Sequence, residues 1–173
     1  MKKKLFTMLI AASVLVSATG FGYASECNPI QEKVPIDNNS ASEIVQQGSM
    51  AGQVVNLVNK ERKANGLSAL SSDSQLARLA QLKAEDMAKN GYFSHTSPTY
   101  GSAFDMMKTY GVSYKNAGEN IAKGQKTAES VMNGWMNSSG HRANILKSDY
   151  TKIGVGYAKS ADGTTYWVQM FKG

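Results

Sequence analysis

Three side chains that can transfer protons or bind a metal stand out in this sequence of 173 residues. His95 and His141 are its two histidines, and Glu119 lies between them on a glycine-flanked turn. A neutral imidazole is the commonest metal ligand and suits proton transfer near neutral pH, and a neighbouring carboxylate fixes its tautomer or joins the coordination shell. We therefore predict a polar cleft with His95, Glu119 and His141 as candidate catalytic residues, and with His95 and His141 as candidate zinc ligands.

The local pattern leaves other interpretations open. The sequence has no HExxH or CxxC motif and no two candidate ligands within one helical turn, so the metal signal is weak. The histidines are also compatible with simple hydrogen bonding at loop junctions, and Glu119 with acceptance of backbone hydrogen bonds on its turn. A serine hydrolase is disfavoured, because Ser94, Ser138 and Ser139 are only chain neighbours of the histidines and no GxSxG motif is present.

Four amphipathic helices are predicted to position these residues. Apolar residues at helical spacing, together with capping signals, indicate helices over about 54–65, 72–90, 102–110 and 127–137. The second ends at Asn90-Gly91 and delivers His95 just beyond its end. The fourth ends at residues 137–140 and delivers His141 in the same way.

The C-terminal part changes to a strand period. Ile153–Ala158 and Thr165–Phe171 are predicted strands joined by a turn at Asp162-Gly163, and the second is apolar on both faces, which favours a central position. A short third strand is predicted within Val112–Ile121. Helices followed by a hairpin predict an α+β fold, an α-β-α sandwich with a mainly antiparallel sheet between about four helices.

The N-terminus is predicted to be an export signal followed by a tether. Lysines at positions 2–4, an apolar stretch from Leu5 to Val16 and small residues up to Ala24 indicate a secretory signal peptide over 1–24, with a retained anchor as the alternative. Residues 25–49 are polar and predict a flexible linker, so the folded domain is expected over 50–173. The single cysteine, Cys27, allows no intramolecular disulfide and leaves only pairing between chains.

Charge is concentrated in the predicted domain. The net charge of the chain is +6, and residues 50–173 hold 15 basic and 9 acidic residues, which gives the same +6. A basic domain suits anionic surroundings, although it serves solubility equally well. The lysines are scattered rather than interleaved with aromatic residues, so nucleic acid is not an expected partner. We expect a monomer.

Several segments together resemble the CAP superfamily, also called the SCP domain, which includes cysteine-rich secretory and pathogenesis-related proteins. They are LVNKERKANGLSAL (57–70), GYFSH (91–95), GENIA (118–122), GWMNSSGHRANIL (134–146), IGVGYA (153–158) and YWVQMF (166–171). The resemblance covers residues 50–173 and points to the compact secreted bacterial branch of that family. It implies an α-β-α sandwich.

The resemblance also implies a cleft built from two histidines and two glutamates, whose histidines can bind zinc. His95, Glu119 and His141 match three of these positions, but residues 96–102 hold no acid where the second glutamate is expected. Asp105 or a hydroxyl group is then the substitute, and zinc is expected to bind weakly.

The expected function is a secreted, non-enzymatic binding module at the bacterial cell surface or wall. Its expected partner is an anionic cell-wall polymer or a small lipid. The alternatives are a peptidase-like hydrolase, with or without a metal, and a lipid carrier that uses the same cleft and the groove near Trp135. Whether the protein is an enzyme is left open at this point.

Overall fold

The computed structural model describes residues 38–173, with side chains from Met50 onward. The predicted signal peptide (1–24) and Cys27 lie outside the described residues. Helix α1 (Asn38–Ala64) begins inside the segment predicted to be a flexible linker, so helical backbone precedes Met50 and the boundary placed there stays a prediction. None of the helices in the described part is long and apolar enough to cross a membrane.

A four-stranded sheet forms the middle layer, in the order β1-β3-β4-β2. Its strands are β1 (Ser71–Ser72), β2 (Ala117–Lys123), β3 (Lys152–Lys159) and β4 (Thr165–Lys172). Only the two-residue β1 is parallel to its neighbour, so the mainly antiparallel sheet and the central position of β4 are as predicted. The third strand, β2, overlaps the predicted segment over residues 117–121 and continues two residues beyond it, so Glu119 lies on a strand and not on the predicted turn.

Five helices cover the two faces of the sheet, which confirms the α-β-α sandwich. Besides α1 they are α2 (Ser74–Asn90), α3 (Ala103–Thr109), α4 (Ala128–Met136) and α5 (Ser139–Ile145). Helices α1, α4 and α5 lie on one side, and α2 and α3 lie on the other.

Two predictions about helix ends were also wrong. Ser138 to Gly140 start a new helix instead of ending one, because Ser138 has the extended backbone of an N-cap and its carbonyl accepts from Arg142 N–H at 2.8 Å. His141 therefore lies within α5. The cap of α2 is Asp73, whose side chain accepts from Leu76 N–H, whereas Ser72 belongs to β1.

Strand β4 divides the apolar interior into two cores. Trp167 and Phe171 pack in the core beneath α1 and α4. Tyr166, Val168 and Met170 pack in the core beneath α2 and α3. Because side chains alternate between the faces of a strand, this single strand supplies both cores.

Arg62 fixes the position of α5 relative to α1. Its guanidinium is fully buried, and Nη1 donates to the carbonyls of Ile145 at 2.9 Å and Lys147 at 2.8 Å. These carbonyls lie at and just beyond the C-terminal end of α5. The helix that carries His141 is thereby tied to the first helix of the domain.

Helix α2 rests directly on the backbone of β3. A Cβ atom at Gly154 would overlap the backbone of Leu76 and Ala77, and one at Gly156 would overlap the backbone of Ala80. The two glycines of the IGVGYA segment therefore set the distance between the helix and the sheet.

We predict that Gly156→Ala lowers the free energy of unfolding by about 1–3 kcal/mol, because the added methyl group forces α2 away from β3. Urea denaturation followed by circular dichroism measures this change. The matched control is Gly52→Ala in α1, where nothing lies within 4 Å of the new methyl group. It should raise stability by about 0.5–1 kcal/mol, and equal effects of the two substitutions would contradict the close contact.

Candidate functional site

His95 and Glu119 meet across two elements that are distant in sequence. His95 lies in the loop between α2 and α3, Glu119 lies on β2, and His95 Nδ1 is 2.6 Å from Glu119 Oε1. The His95 side chain is 60% exposed, whereas that of Glu119 is 5% exposed. A buried carboxylate thus orients an imidazole that solvent can reach. With Nδ1–H donating to the carboxylate, Nε2 is free for a ligand.

His141 lies in the same region on α5. Its backbone carbonyl accepts from Asn120 Nδ2 at 3.1 Å, which joins it to the strand residue next to Glu119. Burial, and after it the charge that His95 carries when protonated, lower the pKa of His141 below its ordinary value of 6.5. The His141 imidazole is therefore neutral at pH 7. The structure brings His95 and Glu119 into contact, and it places His141 on the adjoining helix, joined to β2 through its backbone carbonyl.

Glu119 is held in an environment that disfavours its charge. Burial raises its pKa above 4.5, and this effect outweighs the hydrogen bond with His95 and the positive charge of Lys83. Its second oxygen, Oε2, is buried without a hydrogen-bond partner. An unused acceptor at a cleft is a natural contact point for a donor group of a ligand.

Two clefts lie next to one another along β2. The first has a volume of about 280 Å³ and is lined by His95, Ser102, Ala103, Phe104, Ala117, Gly118, Glu119 and Asn144. The second has a volume of about 270 Å³ and is lined by Phe93, Ile121, Ala122, Lys123, Gln125, Val131, Gly134, Trp135, Ser138 and His141. The two histidines therefore face adjacent hollows. Phe93 and Phe104, which are 47% and 48% exposed, add an aromatic ring to each.

Side-chain amides hold β2 against the helices beside it. Asn144 Nδ2 on α5 donates to the Glu119 carbonyl at 3.2 Å and to Asn120 Oδ1 at 2.9 Å. Trp135 Nε1 on α4 donates to the Ile121 carbonyl at 3.2 Å. These bonds fix the strand that presents Glu119, which gives Asn144 and Trp135 supporting roles.

Lys83 and Asp86 are buried residues that the sequence analysis missed. They lie on α2 beneath the His95 loop, with Lys83 fully buried and Asp86 7% exposed. They interrupt the apolar stripe between Leu79 and Met87. Charged residues at positions of a helix that face a core are the signal that would have found them.

The two expected substitutes for the second glutamate, Asp105 and a hydroxyl group, have different positions in the structure. Asp105 Oδ2 accepts from the Ser102 backbone N–H at 2.8 Å and from the Ser102 hydroxyl at 2.7 Å, which forms the capping box of α3. The carboxylate of Asp105 is thus engaged at the start of α3. Ser102 lines the cleft of His95, so a hydroxyl group takes part in that surface.

The donor set does not fit an ordinary zinc site. Within residues 50–173, where side chains are described, no group of three or more His, Cys, Asp or Glu residues is placed to share a metal ion. Zinc sites generally use at least three protein ligands, and here the Glu119 carboxylate is bonded to the ring of His95. Zinc at His95 and His141 stays a prediction, and no step of a reaction is derived through it.

Comparison with known proteins agrees with this fold. The family model for CAP, the cysteine-rich secretory protein family, matches residues 55–171. The uncharacterized protein YkwD of Bacillus subtilis (strain 168) is 55% identical over 121 residues, which are 70% of this chain and 46% of that protein. The chain spans less than half the length of the curated relatives it matches.

Solved structures give the same result. The crystal structure of an extracellular protein containing an SCP domain from Bacillus anthracis str. Ames is 34% identical with a TM-score of 0.69, and the match covers 80% of this chain and 44% of that one. An outer surface protein from Borrelia burgdorferi is 24% identical with a TM-score of 0.63, covering 79% and 95%, and it supports the fold alone. The chain belongs to the CAP family of cysteine-rich secretory proteins.

The shifted pKa of Glu119 predicts how stability varies with pH. The folded protein holds the Glu119 proton to a higher pH than the unfolded chain, so ionisation above about pH 4.5 favours unfolding. Glu119→Gln removes the ionisable group and with it this pH-dependent loss of stability. We therefore expect the stability of the variant relative to the parent protein to rise as the pH increases above about 4.5.

Urea denaturation at a series of pH values measures this difference. Glu85→Gln, which removes an exposed carboxylate on α2, corrects for the loss of one negative charge. A stability difference that does not change with pH would show that burial leaves the ionisation of Glu119 without cost.

For zinc, we predict weak binding that needs both histidines, because two imidazoles without a third protein ligand form an incomplete coordination shell. Calorimetric titration of protein purified without an affinity tag measures the affinity. His95→Ala and His141→Ala should each abolish the binding. Tight binding, or binding that survives either substitution, would be the contrary result.

Proposed function

We propose that this CAP domain is a non-enzymatic binding module that acts outside the cell, at the bacterial surface or wall. Its partner in this proposal is an anionic cell-wall polymer, which contacts the clefts at His95, Glu119 and His141. The observation that carries the proposal is the exposed His95 imidazole oriented by the buried Glu119 at 2.6 Å.

The chemistry of the cleft suits a ligand rich in hydroxyl or amide groups. Glu119 Oε2 is a buried acceptor without a partner, and Ser102 and Asn144 add polar groups to the same lining. Phe104 supplies an exposed ring at the rim. Sugar units offer hydrogen-bond donors for the carboxylate and apolar C–H faces for the ring.

The net positive charge of the domain and its expected location outside the cell also support an anionic polymer as the partner. Residues 50–173 carry 15 basic and 9 acidic side chains, so a polyanion is attracted to the domain. A neighbour in structure with 34% identity is an extracellular protein of Bacillus anthracis. The predicted signal peptide over 1–24 points to export as well.

A hydrolase is the second candidate, and the contact between His95 and Glu119 favours it. An imidazole oriented by a carboxylate is an arrangement that can activate water as a general base. A lipid carrier is the weaker alternative, since a cleft of about 270 Å³ is small beside ordinary ligand pockets of about 300–1,000 Å³.

We predict salt-sensitive retention of the protein on purified anionic wall polymer. Retention should be present at low ionic strength and should weaken as salt screens the charges. His95→Ala and Glu119→Gln should reduce retention without loss of the folded circular dichroism spectrum. Lys159→Gln, which removes an exposed charge at the end of β3, is the control for general basicity and should reduce retention only slightly.

Two outcomes would count against the binding module. Absence of retention at low ionic strength would exclude the polymer as a partner. Turnover of a peptide, ester or glycan substrate that His141→Ala abolishes without loss of fold would favour the hydrolase instead. Lipid that co-purifies with the protein, identified by mass spectrometry, would support the carrier.

A further inference from the structure

Lys83 and Asp86 form hydrogen bonds with the loop of residues 91–100 between α2 and α3. Lys83 Nζ donates to the carbonyl of His95 at 2.9 Å and lies 5.5 Å from the centre of the Tyr92 ring. The charge of Lys83 also interacts with those of Glu119 and Asp86. A buried cation therefore lies behind the pair formed by His95 and Glu119.

Asp86 accepts hydrogen bonds from four side chains around the same loop. Ser97 Oγ and Thr99 Oγ1 donate at 2.7 Å each, and the hydroxyl of Tyr92 and the amide of Asn90 also donate. These bonds hold the pKa of the Asp86 carboxyl below its usual value in spite of burial. The carboxylate thereby holds the loop on both sides of His95.

The loop itself has little backbone order of its own. Between Gly91 and Ser102 the only regular backbone pairing is the single bridge of Ser97 with Gly101. Without a helix or a strand, the conformation of such a loop depends on side-chain contacts. Burying two charged groups is costly, and here their bonds converge on the segment that presents His95.

We propose that Lys83 and Asp86 are positioning residues of the cleft, which fix the loop so that His95 meets Glu119 and a ligand in one orientation. The effect on ligand binding rests on the proposed function, whereas the effect on the loop does not. Neither residue touches the ligand in this proposal. They act through the backbone of His95 and through the hydroxyl groups of Ser97 and Thr99.

The test uses the full-length protein labelled with ¹³C in histidine. Because the chain has two histidines, the ring signals are assigned directly with His95→Ala and His141→Ala. Lys83→Met removes the charge and the donor at similar length, and Asp86→Asn weakens the acceptor. Val58→Ala, in the core on the opposite face of the sheet, is the control for general loss of stability.

Lys83→Met and Asp86→Asn should shift or broaden the His95 ring signals and speed amide hydrogen exchange in residues 92–99 by about tenfold or more. Exchange in β4 should stay close to that of the parent protein, and Val58→Ala should leave the His95 signals in place. Because burial makes these two variants prone to misfolding, Thr99→Val and Thr99→Ser provide a second pair at an exposed position. Valine should loosen the loop, and serine, which keeps the hydroxyl group, should preserve it.

His95 signals and loop exchange that remain unchanged in the folded variants would overturn the proposal, as would identical behaviour of Thr99→Val and Thr99→Ser. Retention on wall polymer is measured on the same samples. Loss of retention together with loop loosening supports positioning of the binding cleft. Absence of retention in the parent protein overturns only the proposed function, because the ring signals and the exchange rates still decide the role of Lys83 and Asp86.

Discussion

The contact between the backbone of α2 and the backbone of β3 is the constraint on which the rest of the domain depends. Gly154 and Gly156 leave no room for a side chain there, so the helix lies closer to the sheet than ordinary side chains allow. The far end of the same helix carries Lys83 and Asp86 and leads into the His95 loop. The close packing of α2 on β3 therefore fixes the helix from which the His95 loop departs.

The cleft is assembled at some cost in stability. Glu119 is buried with one oxygen unpaired, and two further charged groups are buried beneath it. Such groups destabilise a fold unless each is fully bonded. The two apolar cores on either side of β4 offset this cost, since the chain holds a single cysteine and so no internal disulfide contributes. The apolar cores that stabilise the fold and the buried polar groups that destabilise it therefore lie on the same sheet.

Much of this arrangement could be predicted from the sequence, because periodicity and end signals are local. The caps at Ser102 and Thr127 and the central strand were found this way, and matching motifs pointed to His95, Glu119 and His141. Helix α5 was missed because serine and glycine also end helices. The pair Lys83 and Asp86 was missed although both residues fall on the apolar stripe of α2, and their bonds to the loop beyond the helix are visible only in the tertiary structure.

The hydrogen bonds from Trp135 and Asn144 to carbonyls of β2 affect how readily two molecules can pair through their sheets. They occupy acceptors on the open side of an edge strand, which is where a foreign strand would otherwise add. At the opposite edge, β1 is only two residues long and offers little template. With few free acceptors on one edge strand and only two residues in the other, the sheet offers a poor template for pairing with a strand of another molecule.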